Sequence, residues 1–459
     1  MKSLTMNRFG SSFRDPAGFI FSKGNVLYRQ INEVARDDYD LLMSSGLYDY
    51  LTDKKLLISH SESKKLNSDA YKTIRPDRVP FISYPYEWCF EQLRDAALVT
   101  LRIQKVALKH GMSLKDASAF NIQFFNAKPV FIDTLSFERW EEGKPWDAYR
   151  QFCQHFLAPL SLAAYRDVRL LKLLSEFIDG IPLDLASKLL PKTTLLKFSL
   201  ATHLHWHAKV QGQHAGKATD QRKEASISKA GLLNILENLS NTIKKLTWKA
   251  GQTEWGDYYN NTNYTDSAFD EKKTIIKGFL NQTEAKTLWD LGANDGTFSA
   301  IGPEVGMQTV AFDIDPIAVN NNYLRIKKEG KTDLLPILMD LINPSANIGW
   351  AHEERDSLEN RGKAGCIMAL ALIHHLAISN NLPLTLIADY FCRLGEHLII
   401  EFVPKSDSKV QTLLATRKDI FPQYTVEGFE AAFKSRFSLV KKEVIKGSDR
   451  ILYLYRAEK

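Results

Sequence analysis

The sequence has little cysteine and no C-x-x-C pair. Its four cysteines, Cys89, Cys153, Cys366 and Cys392, lie far apart among 459 residues. This spacing argues against a paired-cysteine metal motif, and it favours reduced thiols over a disulfide framework.

Long hydrophobic runs are lacking as well. No stretch approaches the roughly 18 consecutive apolar residues that a membrane-spanning helix needs. The N-terminal stretch MKSLTMNRFGSSFRDPAGFIF has no apolar core behind its basic residues, so we expect no secretory signal. The sequence therefore predicts a cytoplasmic protein with no membrane partner.

An excess of charge of one sign is also missing. The chain has 60 basic and 54 acidic residues, which gives a formal net charge of +6. This bias is too weak to indicate a nucleic-acid-binding surface. The composition, with 44% hydrophobic residues, excludes collagen-like and wholly disordered chains. At about 150 residues per domain, the length predicts two or three domains.

A polar stretch divides the sequence. Residues 208–231 contain Gly and Ser and hold five basic residues against two acidic ones. We expect an exposed linker here, because a nucleic-acid-binding arm would have interleaved aromatic residues for base stacking. The prediction is thus an N-terminal domain over 1–207, a linker, and a C-terminal domain over 232–459, with no nucleic-acid partner.

The N-terminal part predicts a mixed α and β domain. Apolar residues recur at helical spacing from Glu87 to His110, and Gly111 follows as a stop signal. Residues 120–125 and 129–132 have the composition of two short strands, and residues 149–190 are predicted to be largely helical.

In the C-terminal part, predicted strands and helices alternate. Five apolar segments have strand character and are separated by helical stretches: TLWDLG, TVAFDID, LLPILMD, GCIMALAL and EHLIIEFV. Such alternation predicts a doubly wound, Rossmann-like and mainly parallel sheet of the α/β class. Ligands of these folds bind beyond the carboxyl ends of the strands.

The loop after the first of these strands has the composition of a ligand-binding turn. The strand ends at Asp290, and Gly292 and Gly296 allow a tight turn with close backbone approach to a ligand. We expect a helix to begin after Gly296, with its amide groups toward that ligand. The segment lacks the G-x-G-x-x-G pattern of dinucleotide folds, which argues against a bound pyrophosphate.

Carboxylates also end the next two strands. Asp313 closes the second strand, where it can accept hydrogen bonds from ribose hydroxyls, and Asp315 competes for that role. Asp340 closes the third strand and can accept a hydrogen bond from an adenine amine. Any one of them could be a turn former or a helix cap, but the set of three indicates a nucleoside site.

Two groups of motifs resemble a known family. DLGANDGTFS, FDID and MDLINP resemble the S-adenosylmethionine site of class I methyltransferases. ALALIHHL, EFVP and the upstream WGDYY resemble the nodulation-protein (NoeA-like) branch of that superfamily. The resemblance covers residues 253–459 and implies S-adenosyl-L-methionine as the cofactor of a methyltransferase.

The resemblance also implies roles for individual residues. The methionine part of the cofactor would lie beside the first loop, the ribose at the second strand and the adenine at the third, with a tyrosine closing over the cofactor. The cofactor-binding residues so implied are Asp290, Gly292, Asn294, Gly296, Asp313, Asp315, Asp340, Tyr258 and Tyr259.

Three further residues are candidates for catalysis. His374 and His375 follow the fourth strand, and a neutral imidazole there can accept the proton of a methyl acceptor. Glu401 ends the fifth strand and could contact the acceptor. The alternatives are that the histidines cap the next helix and that Glu401 forms a salt bridge. The acceptor is unidentified; the resemblance favours a small molecule or glycan precursor.

A second constellation lies in the N-terminal half. Asp116, Asn121 and Asp133 have the spacing of the catalytic base and the two metal ligands of protein kinases, and ISYPYEW resembles a kinase hinge. The chain departs from that pattern, because Leu114 and Lys115 precede Asp116, Thr-Leu follows Asp133, and no G-x-G-x-x-G loop is present. This half could therefore be a kinase-like phosphotransferase joined to a cofactor-sensing methyltransferase-like domain, an inactive scaffold, or a chance match.

Two smaller alternatives remain. A non-enzymatic adaptor that binds the cofactor only as a ligand is the third functional hypothesis. The cluster of His203, His205, His207 and His214 could suggest a metal site, but H-E-x-x-H and paired cysteines are missing. We expect hydrogen-bonded, packed histidines and no metal.

Overall fold

The computed structural model describes residues 6–206, 226–248, 266–415 and 417–458. The chain divides into two compact units. The first unit comprises residues 1–250 and 347–355, and the second comprises residues 251–346 and 356–459.

The first unit contains an antiparallel sheet and two short strand pairs. The sheet has the order β1-β2-β3-β5-β4, and β6 pairs with β9 and β7 with β8. The strands are β1 (Met6–Arg8), β2 (Gly18–Lys23), β3 (Val26–Asn32), β4 (His60–Ser63), β5 (Ala70–Pro76), β6 (Met112–Leu114), β7 (Ile122–Phe125), β8 (Lys128–Phe131) and β9 (Phe137–Arg139). The two strands predicted within residues 120–132 are confirmed as β7 and β8.

Helices make up most of the remaining first unit. They are Arg36–Ser44, Leu47–Asp53, Phe90–Lys109, Tyr149–Phe152, Ala158–Tyr165, Leu173–Glu176, Leu183–Leu189, Phe198–Leu200 and Lys229–Lys245, with π-helical turns at Cys153–Leu157 and Ala201–Trp206. The long predicted helix is confirmed as Phe90–Lys109, and its apolar face is buried.

The helix Lys229–Lys245 belongs to the first unit. It begins at the N-cap Ser228, whose side chain accepts a hydrogen bond from the Gly231 amide. Lys105 Nζ lies 2.6 Å from Glu237 Oε2 and 3.1 Å from Ser240 Oγ. The predicted domain boundary at residue 232 thus falls inside this helix. Tertiary contacts attach the helix to the first unit, and a local sequence pattern does not record such contacts. Most of the predicted linker lies outside the described residues.

Residues 347–355 also belong to the first unit, although residues of the second unit flank them on both sides. Glu354 is 4% exposed, and its Oε1 accepts hydrogen bonds from Arg14 Nη2 at 2.7 Å and from the Trp350 amide at 2.8 Å. The Arg355 guanidinium lies 4.4 Å from the ring centre of Phe120.

The second unit is built on a seven-stranded sheet with the order β12-β11-β10-β13-β14-β16-β15. The strands are β10 (Thr287–Leu291), β11 (Gln308–Asp313), β12 (Leu334–Leu338), β13 (Ala364–Ala369), β14 (Gly395–Phe402), β15 (Phe437–Val444) and β16 (Ile451–Ala457). The first five are mutually parallel, and β16 pairs antiparallel with both β14 and β15. The predicted Rossmann-like sheet is confirmed, and all five predicted strands belong to it.

The helices of the second unit are Asp266–Thr283, Ile301–Glu304, Pro316–Glu329, Leu384–Leu394, Ser408–Ala415 and Val426–Lys434, with a π-helical turn at His375–Ser379. The helix Pro316–Glu329 shows how the sequence sets such elements. Asp315 caps its N-terminus, Pro316 occupies its first turn, and Gly330 ends it at a φ of 67°. No helix among the described residues is long and apolar enough to cross a membrane.

Candidate active site

A cavity of about 380 Å³ lies at the carboxyl ends of the parallel strands of the second unit. This volume is within the usual range for small-molecule sites. The cavity is lined by residues of the helix Asp266–Thr283, of the loops after β10 to β13, and of the helix Ser408–Ala415. Those with a role below are Lys272, Asp290, Gly292, Asn294, Phe298, Asp313, Ile314, Asp340, Ile342, Ala371 and His375.

The first strand-end carboxylate, Asp290, is buried at the cavity wall. Its Oδ2 accepts a hydrogen bond from Ser299 Oγ at 2.5 Å, and burial raises the pKa of the carboxyl to about 7. The chain then turns at Gly292, whose φ of 75° is a backbone conformation that favours glycine. Both residues line the cavity, and their part in binding a cofactor stays a prediction.

The structure corrects the prediction for Gly296. This glycine does not line the cavity, and a Cβ built at this position would lie 2.2 Å from Asn322 Nδ2. The glycine is thus needed for packing against the helix Pro316–Glu329. The predicted helix after it is also shorter and later than expected, at Ile301–Glu304.

The second strand-end carboxylate, Asp313, holds the first loop in place. Its Oδ2 accepts a hydrogen bond from the Asn294 amide at 2.7 Å, and its Oδ1 accepts one from the Asp315 amide at 2.8 Å. Burial raises the pKa of Asp313 to about 6. Asp313 and Asn294 line the cavity. Asp315 does not, because its carboxylate caps a helix by accepting the Ile317 amide at 2.7 Å.

Asp340 supplies the third carboxylate of the cavity. Its Oδ1 accepts a hydrogen bond from the Ile342 amide at 2.9 Å, which shapes the turn after β12. Ile314 and Ile342 line the same part of the cavity and are 54% and 42% exposed. Apolar walls beside a carboxylate suit a flat heteroaromatic ring with an exocyclic amine.

Sequence analysis missed Lys272, the one lysine or arginine among the described residues that line the cavity. It lies on the helix Asp266–Thr283 and is 2% exposed. Its Nζ is 2.7 Å from Glu401 Oε2 and 4.5 Å from the ring centre of Phe298, and burial lowers its pKa. No sequence motif marks this lysine. It lies on a helix that precedes β10, so it is not among the residues at the ends of strands.

Glu401 is fully buried and does not line the cavity. Its Oε1 lies 3.4 Å from Arg450 Nη1, and its Oε2 also accepts the Ala371 amide at 2.9 Å. Arg450 pairs in turn with Asp407 at 2.8 Å. Glu401 therefore forms the salt bridges that were the alternative to contact with the acceptor. Glu401 fixes Lys272 and the left-handed turn at Ala371, where φ is 48°.

The structure separates the two adjacent histidines. His375 lines the cavity at the start of the π-helical turn His375–Ser379, and burial lowers its pKa to about 4. Its imidazole is therefore neutral near pH 7. His374 is 1% exposed and does not line the cavity, and burial lowers its pKa strongly. Tyr258 and Tyr259, expected to close over the cofactor, lie outside the described residues.

In the first unit, Asp116, Asn121 and Asp133 do come together. Asn121 Nδ2 donates to Ser136 Oγ at 3.3 Å, and Ser136 Oγ donates to Asp133 Oδ2 at 2.8 Å. Burial and the nearby charge of Asp133 raise the pKa of Asp116, against hydrogen bonds from Ser118, Gln151 and Asn121 that lower it.

A guanidinium already neutralises this cluster. Arg29 is 6% exposed, and it pairs with Asp133 at 2.6 Å and with Asp15 at 3.1 Å. Because Asp133 already receives the Arg29, Ser136 and Leu135 donors, the geometry gives no support to its use as a metal ligand.

The histidine cluster is hydrogen-bonded where it is described. His203 contacts Tyr149 and Asn238, and His205 contacts Ser187 and Thr194. His207 and His214 lie outside the described residues. Within the described ranges, no group of three or more His, Cys, Asp or Glu side chains could hold a metal ion.

Comparisons with known proteins give one relative along nearly the whole chain. No family model matches the sequence. Over 458 residues the chain is 32% identical to the nodulation protein NoeA of Rhizobium meliloti (strain 1021), which covers 98% of this chain and 96% of NoeA.

Solved structures with partial similarity include two methyltransferases. The N-methyltransferase NodS from Bradyrhizobium japonicum WM9 has a TM-score of 0.33 and 13% identity, over 42% of this chain and 98% of NodS. The magnesium protoporphyrin IX methyltransferase ChlM from Synechocystis PCC 6803, with bound SAM, has a TM-score of 0.31 and 14% identity, over 46% of this chain and 87% of ChlM.

Proposed function

The chain belongs to the family of the nodulation protein NoeA, and from that premise we propose that it is an S-adenosylmethionine-dependent methyltransferase. The observation that carries the proposal is the convergence of Asp290, Asp313 and Asp340 on one cavity. Three carboxylates at three strand ends match the amino acid, ribose and adenine parts of this cofactor.

The residues of the cavity fit the cofactor in charge and shape. S-adenosylmethionine carries a sulfonium, an ammonium and a carboxylate, so it needs an acidic site with one cation. Asp290 would hold the ammonium, Asp313 the ribose and Asp340 the adenine. Gly292 gives room for the part of the cofactor that joins the ammonium to the ribose. When bound, the cofactor supplies an activated methyl group.

Lys272 would hold the carboxylate of the methionine part. It lies beside Phe298 and within electrostatic reach of Asp290. Glu401 and Arg450 would act as positioning residues, because they contact Lys272 or its partner but do not line the cavity.

His375 would accept the proton of the acceptor. Its low pKa keeps the imidazole neutral at physiological pH, and a proton that it takes up can pass to solvent after release of the product. We assign the acceptor to small molecules or glycan precursors. We assign the enzyme to the cytoplasm, because the four cysteines are free and thiols stay reduced in that compartment. The first unit would position the acceptor.

Calorimetric titration tests the proposal without knowledge of the acceptor. Full-length protein is titrated with S-adenosylmethionine, with S-adenosylhomocysteine and with Mg-ATP. We expect micromolar binding of the two sulfur nucleosides, at least tenfold weaker binding in Asp290→Ala, and no ATP signal. No binding of either sulfur nucleoside would contradict the proposal, and ATP binding alone would favour the phosphotransferase alternative. Unchanged affinity in Asp290→Ala would mean that the site is wrongly assigned.

A further inference from the structure

Exposed apolar side chains are concentrated in one segment of the first unit. Leu196 and Phe198 are 88% and 79% exposed, the two highest values for large apolar residues in the part of the chain that the structure describes. Leu195 and Trp206, in the same segment, are 52% and 69% exposed. We call these four residues the apolar patch. A single exposed apolar residue is ordinary, but a group of this kind indicates an interaction surface.

Two buried histidines fix the backbone that presents the apolar patch. His205 Nε2 lies 2.9 Å from the hydroxyl oxygen of Thr194. Thr194 is buried in the short 3₁₀ helix Lys192–Leu196, which carries both leucines of the patch. His203 Nε2 lies 2.9 Å from Oδ1 of Asn238 on a neighbouring helix. The histidine cluster therefore supports a surface segment and holds its apolar side chains toward solvent.

Lysines accompany the apolar patch, and its sequence has no acid. Residues 185–206 contain three lysines, all of them exposed, and neither aspartate nor glutamate. One of them, Lys197, lies between two residues of the patch. Its Nζ is 5.1 Å from the ring centre of Tyr165, and it has no carboxylate partner within the described part of the chain. Such a lysine can lay its aliphatic stem along apolar surface and extend its ammonium group to an anion.

A cavity of about 390 Å³ lies beside the apolar patch in the first unit. Its lining includes Lys197 and Phe198, together with Asn241 and Lys245 of a neighbouring helix. The two lysines thus come from separate elements, and the described lining residues include no aspartate or glutamate. Two ammonium groups at one cavity favour a phosphate group as the ligand.

We propose that this face of the first unit binds the surface of an anionic phospholipid bilayer. Lys197 and Lys245 contact the lipid phosphates, and the apolar patch enters the boundary between the headgroups and the acyl chains. The lysines gain from the negative surface potential and the apolar side chains gain from leaving water, so the two contributions add. Charge selects this occupant, because every charged side chain of residues 185–206 and of the described cavity lining is basic.

Such a surface contact needs no membrane-spanning helix. The sequence patterns that predict no membrane partner test for spanning segments and secretory signals only. The inference goes beyond the proposed methyl transfer and does not depend on it.

Vesicle flotation with full-length protein tests the partner. One set of vesicles is phosphatidylcholine, and in the other about a third of the lipid is phosphatidylglycerol. We expect at least about tenfold tighter binding to the anionic vesicles at low salt, and loss of most of this difference at about 0.5 M NaCl. Equal binding to both sets, or no binding to the anionic set, overturns the inference.

Substitutions in the apolar patch test the surface. Leu196→Ser and Lys197→Glu should each weaken binding to the anionic vesicles about tenfold. The matched controls Leu439→Ser and Lys441→Glu, at exposed positions of β15, should change it less than about twofold. Circular dichroism checks that each variant is folded. Unchanged binding in both patch variants, or an equal loss in the controls, overturns the assignment of the surface.

Quenching of tryptophan fluorescence by brominated phosphatidylcholine, included in the anionic vesicles, tests the depth of insertion. We expect quenching in the unmodified protein and loss of most of it in Trp206→Phe. Quenching that persists in Trp206→Phe shows that another face meets the bilayer and overturns the assignment. Glycerol 3-phosphate is the soluble probe: micromolar binding of this probe without vesicle binding assigns the lysines to a soluble phosphate ester and overturns the inference.

Discussion

Lys272 and Glu401, 129 residues apart in sequence, form an ion pair of 2.7 Å in which neither side chain is more than 3% exposed. A lysine that lines a cavity while its counter-ion is buried behind it has a fixed position. The pair thus links the cavity wall to the end of β14 and, through the Ala371 amide, to the loop after β13.

The first prediction concerns Lys272→Met. If Lys272 binds the cofactor carboxylate, this variant should bind S-adenosylhomocysteine at least about tenfold more weakly but 5′-methylthioadenosine, which lacks the amino acid part, with unchanged affinity. Calorimetry with both ligands measures the difference. Lys277→Met is the matched control, since Lys277 is exposed on the same helix. An equal loss for both ligands would show that Lys272 supports the fold only.

The second prediction concerns the stability of the buried pair. Glu401→Gln leaves Lys272 without its counter-ion and Arg450 with Asp407 alone. Breaking a buried pair in this way costs about 3–5 kcal/mol of unfolding free energy. Glu304→Gln, which breaks an exposed pair with Lys277, should cost less than about 1 kcal/mol. Urea denaturation measures both values. Similar costs for the two variants would contradict the structural role of Glu401.

The third prediction compares two glycines. Gly296 and Gly306 have φ angles of 77° and 81°, but a Cβ at Gly296 would meet Asn322 whereas a Cβ at Gly306 has no neighbour within 4 Å. Gly306→Ala should therefore show only the strain of the backbone, about 1–2 kcal/mol. Gly296→Ala should lose more stability and also weaken cofactor binding, because the first loop must shift. Equal effects of the two substitutions would contradict the packing role.

The fourth prediction concerns pH. Burial raises the pKa of Asp290 to about 7, so the folded protein holds this proton between about pH 4 and 7 where the unfolded chain has lost it. Unfolding free energy contributed by this group therefore falls as the pH rises through that window. Asp290→Asn removes the effect, and its stability relative to the unmodified protein should rise with pH by up to about 1.4 kcal/mol per unit. Parallel pH curves would show that Asp290 is ionised throughout.

Strand-end carboxylates were predictable because they are local to apolar strands. Asp290, Asp313 and Asp340 each follow a segment whose apolar run and position in the alternation define it as a strand. Asp315 and Gly296 have the same local signature. Asp315 is occupied by a local helix cap, and the approach of Asn322 to Gly296 is a tertiary contact.

The other features could not be predicted from the sequence, for a physical reason. Lys272 meets Glu401 only when the helix Asp266–Thr283 packs beside β14, and the separation of His374 from His375 depends on where a π-helical turn begins. Likewise, the helix Lys229–Lys245 belongs to the first unit through Lys105. The two ion pairs are long-range contacts that no local pattern records.

The assignment of residues 347–355 to the first unit has a consequence for the organisation of the gene and for work with fragments of the protein. The chain passes from one unit to the other after residues 250, 346 and 355, so it is not a simple end-to-end gene fusion. A fragment that stops at residue 250 keeps Arg14 but loses Glu354, its buried partner. Neither unit is therefore encoded by one uninterrupted stretch of codons.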